Sequence, residues 1–173
     1  MGHTVIQIPV PALEPLVRHQ LTAEMPDLAR PDDTTVCAHI TALGPFVDER
    51  DVDDPLLASL AELFAAVRPF AFDLVDVRRF PDGPTYLAPV PREPFRELTA
   101  RLAHTYPAWP PYGGAFDDVV PHLSLGTMTL AEAHAALGRD LPVRAWAGEA
   151  HLTWWSPTSV RILARFPLGD SSR

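Results

Sequence analysis

The chain has 173 residues, 47% of them hydrophobic and 21% charged, which is enough apolar material for a sizeable core and argues against wholesale disorder. All 14 basic residues are arginine; against 22 acidic residues they leave a net charge of -8, with 6 arginines against 14 acids in the first 89 residues and 8 against 8 in the rest. Neither half has the positive excess that a long nucleic-acid groove requires, so long RNA or DNA is not expected as a partner, whereas a small anion held by a few local donors is compatible with this balance. A single cysteine, Cys37, excludes an internal disulfide framework and a multi-cysteine zinc site. With no signal-like start and no long apolar run, the expectation is a soluble, cytoplasmic protein without a membrane segment.

In chain order, residues 4–10 read as a strand, and Pro11 opens a helical pattern with Leu13, Leu16, Val17 and Leu21 on one face. Residues 34–43 read as a strand. Asp53, Asp54 and Pro55 start a helix whose buried stripe is Leu56, Leu60, Leu63, Phe64 and Val67, stopped by Pro69. Residues 70–80 and 85–90 flank Pro-Asp-Gly-Pro at 81–84, a hairpin signal. A helix from about 92 to 105 follows, marked by Phe95, Leu98 and Leu102, then a strand over 119–126. Thr129 and Glu132 fit a capping box for a helix ended by Gly138, and residues 144–155 and 159–166 make a second hairpin. Each half thus reads helix, strand, helix, hairpin, with one extra strand in front, an order that suggests pseudo-symmetry.

The chemistry sits on the strand that follows the first helix of each half. His39-Ile40-Thr41 and His122-Leu123-Ser124 lie 83 residues apart in matching places. Side chains alternate along a strand, so each histidine shares a face with the hydroxyl two residues on, while Ile40, Ala42, Leu123 and Leu125 face the other way. Two imidazoles and two hydroxyls around one site can cleave a phosphoester without a metal: one neutral ring takes a proton, one protonated ring gives one, and the hydroxyls hold non-bridging oxygens. A third triplet, His151-Leu152-Thr153, lies in a hairpin strand beside Trp154 and Trp155, where a structural or site-wall role fits better.

The paired triplets resemble the 2H phosphoesterase superfamily and, within it, the 2′-5′ RNA ligase-like proteins. The likeness extends to Ile8-Pro9-Val10-Pro11, Gly44-Pro45-Phe46, Tyr86-Leu87-Ala88-Pro89, Pro111-Tyr112-Gly113-Gly114 and Arg165-Phe166-Pro167-Leu168-Gly169. It covers nearly the whole chain as one unit, residues 1–173. The resemblance implies a bilobal α+β fold with two antiparallel sheets related by a pseudo-twofold, helices on the outer faces and the triplets facing across a central cleft. It also implies metal-independent hydrolysis of 2′,3′-cyclic or 2′-5′ linked phosphodiesters, with no cofactor, on a small nucleotide or short oligonucleotide. Carried over by position, His39 is the acid that protonates the departing 3′ oxygen, His122 is the base that activates water, and Thr41 and Ser124 hold the phosphate. A monomer is expected.

Phe46, Tyr86, Tyr112 and Phe116 are candidates to stack a base or wall the cleft. Arg78, Arg79 and Arg92 are candidate phosphate clamps, each to be weighed against solvated or acid-paired surface roles. Cys37, two residues before His39, reads as a buried small hydrophobe rather than a nucleophile. The acidic run 48–54 reads as a solvated loop that ends by capping a helix, with no calcium-loop glycine. The rival function is a non-catalytic nucleotide or RNA-end binder using the same cleft; a metallohydrolase built on the scattered histidines has little in its favour.

Overall fold

The structure, a computed structural model, describes residues 2–28, 34–115 and 118–169. Eight strands form one antiparallel sheet: β1 (His3–Pro9), β2 (His39–Leu43), β3 (Phe70–Arg79), β4 (Thr85–Val90), β5 (Leu123–Ser124), β6 (Val143–Ala147), β7 (Glu149–Ser156) and β8 (Ser159–Pro167). Their order across the sheet is β6-β3-β4-β5-β2-β1-β7-β8. Four helices complete the α+β fold: α1 (Glu14–Glu24), α2 (Asp54–Ala65), α3 (Glu93–Thr105) and α4 (Leu130–Leu137).

The two sheets expected from the sequence are therefore one. The seam is the pairing of β2 with β5 at Ile40 and Leu123. Two separate sheets would leave the inner edges of β2 and β5 with unpaired backbone groups next to a fully buried core, a costly arrangement that pairing removes. About the seam the element order repeats: β1-α1-β2-α2 on one side answers β4-α3-β5-α4 on the other.

One face of the sheet carries the apolar positions of the alternation. Ile6, Ile8, Ile40, Leu74, Leu87, Leu123 and Leu152 are completely buried there. Phe64 of α2 stacks on Phe166 of β8 with centroids 5.4 Å apart, and Phe95 of α3 meets Phe70 and Phe72 of β3 edge-on at 5.0 Å each. The helix starts follow local chemistry. Asp53 accepts from Leu56 N at 2.9 Å to cap α2, and Thr129 with Glu132 forms the expected capping box of α4. The acidic run 48–54 is absorbed in this way: Asp48 caps a short 3-10 turn, Asp53 caps α2, and Glu49 pairs with Arg161 of β8.

Two expected strands are shorter than their sequence pattern. In residues 34–38 the backbone is held by side chains and by the end of β1 rather than by a neighbouring strand: Gln7 donates to Val36 O, Arg18 to Thr35 O and Arg165 to Thr34 O, Ala38 N donates to Glu14, and Ala38 O accepts from Val10 N. Before β5, Pro121 has no N–H to give a ladder. The expected strand 144–155 is in fact two. Gly148 separates β6, which runs along the outer side of β3, from β7, which lies between β1 and β8 on the far side of the sheet. A Cβ at 148 would come within 2.9 Å of Trp146 Nε1, so the crossing is made where there is no side chain. Among the described residues no helix is long and apolar enough to cross a membrane.

Leu123 supports the seam from the buried side. Truncation in Leu123→Ala should lower the unfolding free energy by about 2–5 kcal/mol, the usual cost of a buried leucine cavity; urea unfolding that gives a loss under about 1 kcal/mol would contradict this placement.

Candidate active site

The seam sets the geometry of the site. Ile40 faces Leu123 directly; one residue further each way the same antiparallel register puts His39 opposite Ser124 and Thr41 opposite His122, all four on the face away from the core. Residues directly opposite have Cβ atoms about 4.5–5.5 Å apart, and diagonal ones about 7–8 Å. The two histidines occupy a diagonal of this square and the two hydroxyls the other. Across that diagonal no hydrogen bond joins the two rings among the described residues, since each Nδ1 is bonded to a backbone carbonyl.

Both rings are oriented by the same device. His39 Nδ1 lies 2.7 Å from Cys37 O, and His122 Nδ1 lies 2.7 Å from Val120 O. A carbonyl only accepts, so each Nδ1 carries the hydrogen and each Nε2 is left as the free, basic nitrogen. Burial pushes the His39 imidazolium down to about 4; the Cys37 carbonyl opposes that shift, while positive charge on His122 and His151 adds to it. Burial also lowers His122, against the pull of the Val120 carbonyl. At neutral pH the free protein therefore presents two neutral imidazoles.

The square opens into two cavities. A small one of about 160 Å³ is lined by His39, Ser124, Cys37, Trp155 and residues of α1 including Glu24. A larger one of about 630 Å³ lies beside His122, between Phe80 and the 81–84 turn on one side and Tyr112 with residues 118–120 on the other. Its size suits a nucleoside-sized ligand. Tyr86 stacks on Phe80 at 4.2 Å and meets the His122 ring at 5.6 Å; the Tyr112 ring runs parallel to His122 at 6.3 Å, and its hydroxyl is hydrogen-bonded with Thr41. Tyr112 adopts a left-handed backbone (φ +52°), ahead of Gly113 and Gly114 at +64° and +77°. For a residue with a Cβ that conformation costs about 1–3 kcal/mol and collects at functional sites; here it turns the ring over His122 while Tyr112 N donates to Gly44 O at 2.7 Å.

Other candidates are placed elsewhere. Phe46 is 4% exposed and packs edge-on against Tyr106 and Trp109 in the core, lining neither cavity. Phe116 lies outside the described residues. Arg78 sits across from Tyr86 with its guanidinium bound to Asp76 at 2.8 Å, and neither Arg79 nor Arg92 is among the residues lining these two cavities. The lining of the larger cavity includes Asp82 and Asp118, and among the described residues no arginine lines either space. Cys37 is packed with Leu28, Val160 and Trp155, and burial, reinforced by the Glu14 carboxylate, pushes its thiol up to about 12, so it supplies no thiolate. Among the described residues no group of three His, Cys, Asp or Glu side chains is placed to hold a metal.

Three residues near the site escaped the sequence reading. Trp155 touches the His39 ring at 5.3 Å, Phe80 meets His122 edge-on at 5.0 Å, and the fully buried Gln7 lies beside Thr41 in the sheet. In the sequence Phe80 reads only as the end of a strand before a turn, and Gln7 only as one residue of the strand 4–10. His151 is 1% exposed and bonded to Glu149 at 2.7 Å, in the same row as Thr41 and Gln7, which makes it part of the buried wall behind the site.

The His39 shift has a measurable sign. Its folded-state value, about 4, lies below the ordinary 6.5, so between those limits the unfolded chain binds a proton that the folded chain does not. Stability present above pH 6.5 is lost as pH falls toward 4, and the loss should be shallower in His39→Asn. In an NMR titration the His39 midpoint should rise in His122→Asn, because a positive neighbour is removed; an unchanged midpoint would contradict the coupling.

The sequence profile described as the 2′-5′ RNA ligase superfamily matches residues 11–158. Among solved structures, Escherichia coli LigT complexed with NADP+ is 21% identical, over 97% of this chain and 98% of its own, with a TM-score of 0.55. A structure described as a phosphoesterase is 19% identical over 98% and 99%, with a TM-score of 0.56, and a Thermus thermophilus protein is 15% identical over the whole of both chains, with a TM-score of 0.60. At these identities the likeness is one of fold. No curated protein sequence matches the chain. The match over residues 11–158 is what assigns the protein: the chain belongs to the 2′-5′ RNA ligase superfamily.

Proposed function

We propose that the protein is a metal-independent phosphodiesterase that opens 2′,3′-cyclic phosphates, or related 2′-5′ linked diesters, on small nucleotides or short RNA ends. The observation that carries this reading is the pair of imidazoles with Nδ1 tied to a backbone carbonyl and Nε2 left free, set on one diagonal of a square whose other corners are Thr41 and Ser124. Solved structures of the fold relative LigT with NADP+, 3′-AMP and ATP support a nucleotide as the ligand class.

In the proposed reaction the phosphate lies between the rings and the nucleoside occupies the cavity beside His122. One neutral Nε2 takes a proton from water, whose oxygen attacks phosphorus. The P–O bond to the 3′ oxygen breaks, and the protonated Nε2 of the other ring supplies the proton to that oxygen, leaving a 2′-phosphate. By the family roles His122 is the base and His39 the acid. The hydroxyls of Thr41 and Ser124 hold the non-bridging oxygens. The rings finish with their protonation exchanged, and proton exchange with solvent resets them. Both imidazolia are disfavoured in the free protein, and the anionic phosphate supplies the charge that lets one ring hold a proton. At the nucleoside cavity Asp118 is paired with Arg96, and the carboxylate of Asp82 disfavours further phosphates on the ligand, which favours a mononucleotide over a long chain.

Wild type should hydrolyse nucleoside 2′,3′-cyclic monophosphates with EDTA present, while His39→Ala and His122→Ala lose about 10²–10⁴ in rate, the usual worth of a general acid or base. Full activity in either variant would sink the mechanism. No turnover, with retained nucleotide binding, would favour a sensor. Since the reactive form carries one proton on the pair, kcat/KM should be bell-shaped with its maximum below pH 6.5, between the lowered values of the two rings; a maximum above pH 7.5 would be incompatible with the electrostatics of the site.

A further inference from the structure

We infer that Gln7 is a positioning residue for His39, acting through the two surfaces that hold the ring. Its side chain is completely buried yet both ends of its amide are used: Nε2 donates to Val36 O at 3.0 Å, and Oε1 accepts from Trp155 Nε1 at 3.2 Å. Trp155 is the indole against which the His39 ring rests. Val36 immediately precedes Cys37, whose carbonyl receives the His39 Nδ1 hydrogen. One amide therefore ties the wall behind the imidazole to the segment that sets its tautomer.

That segment is held by side chains and by the end of β1. Besides Gln7, Arg165 reaches Thr34 O, Arg18 reaches Thr35 O, and Glu14 and Val10 hold Ala38, so Gln7 supplies a contact at the residue next to the orienting carbonyl. The register shows why the position is suited to this task. Gln7 lies beside Thr41 in β1–β2, as Tyr86 lies beside Ser124 in β4–β5. About the seam these two places answer each other. Tyr86 touches its histidine, His122, ring to ring, whereas Gln7 reaches His39 by way of Trp155 and Val36. A polar side chain buried in an apolar strand is costly unless it is bonded, and this one is bonded at both ends, to Val36 beside the orienting Cys37 and to Trp155 beside the His39 ring.

The test reads the imidazoles themselves. By ¹⁵N NMR, wild type should show His39 and His122 each with a protonated Nδ1 and an unprotonated Nε2. Gln7→Met keeps length and volume but neither hydrogen bond; it should draw the two His39 nitrogen resonances toward each other, as tautomers mix, and leave His122 in place. Trp155→Phe, which keeps a ring against His39 and loses the N–H, should move His39 in the same direction by less. These readouts do not depend on the proposed reaction. The kinetic arm does rest on it: kcat for cyclic nucleotides should fall at least tenfold in Gln7→Met with KM little changed. Unmoved His39 resonances in either variant, or equal movement of both histidines, would overturn the inference. Altered tautomers with no turnover in wild type would instead count against the proposed reaction alone.

Discussion

The contact on which the molecule depends is the pairing of Ile40 with Leu123. It joins two four-stranded halves into one sheet, fixes the register of two short strands, and so decides which four side chains share the open face. β5 is only two residues long, and its place is secured less by its own ladder than by burial of Leu123 and Leu125 beneath it. A slip of one residue in that register would turn His122 and Ser124 into the core and Leu123 into the cleft, so the hydrophobic effect that holds the seam also holds the chemistry in place.

The electrostatics of the cleft follow from what surrounds it. Aromatic rings, aliphatic side chains and a few carboxylates line it, and the rings of His39 and His122 are held neutral by burial. A site built this way has little attraction for highly charged ligands. In the proposed reaction its hydroxyls, imidazole nitrogens and tyrosine meet one diester charge, and that charge raises the proton affinity of the rings. On that proposal substrate binding and acid formation are one event, linked through the Coulomb attraction between phosphate and imidazolium.

Much of this was legible in the sequence because the relevant patterns are local. The period-two alternation around residues 39–43 and 122–125 separated the polar pairs from the aliphatics, and Thr129-x-x-Glu132 announced its helix through capping chemistry that needs no tertiary partner. What stayed hidden depended on distant contacts. The crossing at Gly148 interrupts no periodicity, so one apparent strand concealed two on opposite sides of the sheet. Residues 34–38 have strand-like composition, but their hydrogen bonds go mainly to Gln7, Glu14, Arg18 and Arg165, which no local rule foretells. Phe46 follows a glycine and a proline as a cleft residue could, yet two aromatic rings far along the chain, Tyr106 and Trp109, claim it for the core. Gln7 earned no notice since its importance lies wholly in partners 29 and 148 residues away.

The central claim is that two neutral imidazoles become an acid–base pair when a phosphodiester anion enters between them. It is tested most directly by counting protons. Binding of a 2′-deoxynucleoside 3′-methyl phosphate, a diester that has no 2′ hydroxyl and does not titrate near neutrality, can be followed by calorimetry at pH 7 in buffers of different ionisation enthalpy. The account predicts net uptake of a substantial fraction of one proton per ligand, reduced when either His39 or His122 is replaced by asparagine. Binding of the diester with no proton uptake would contradict it.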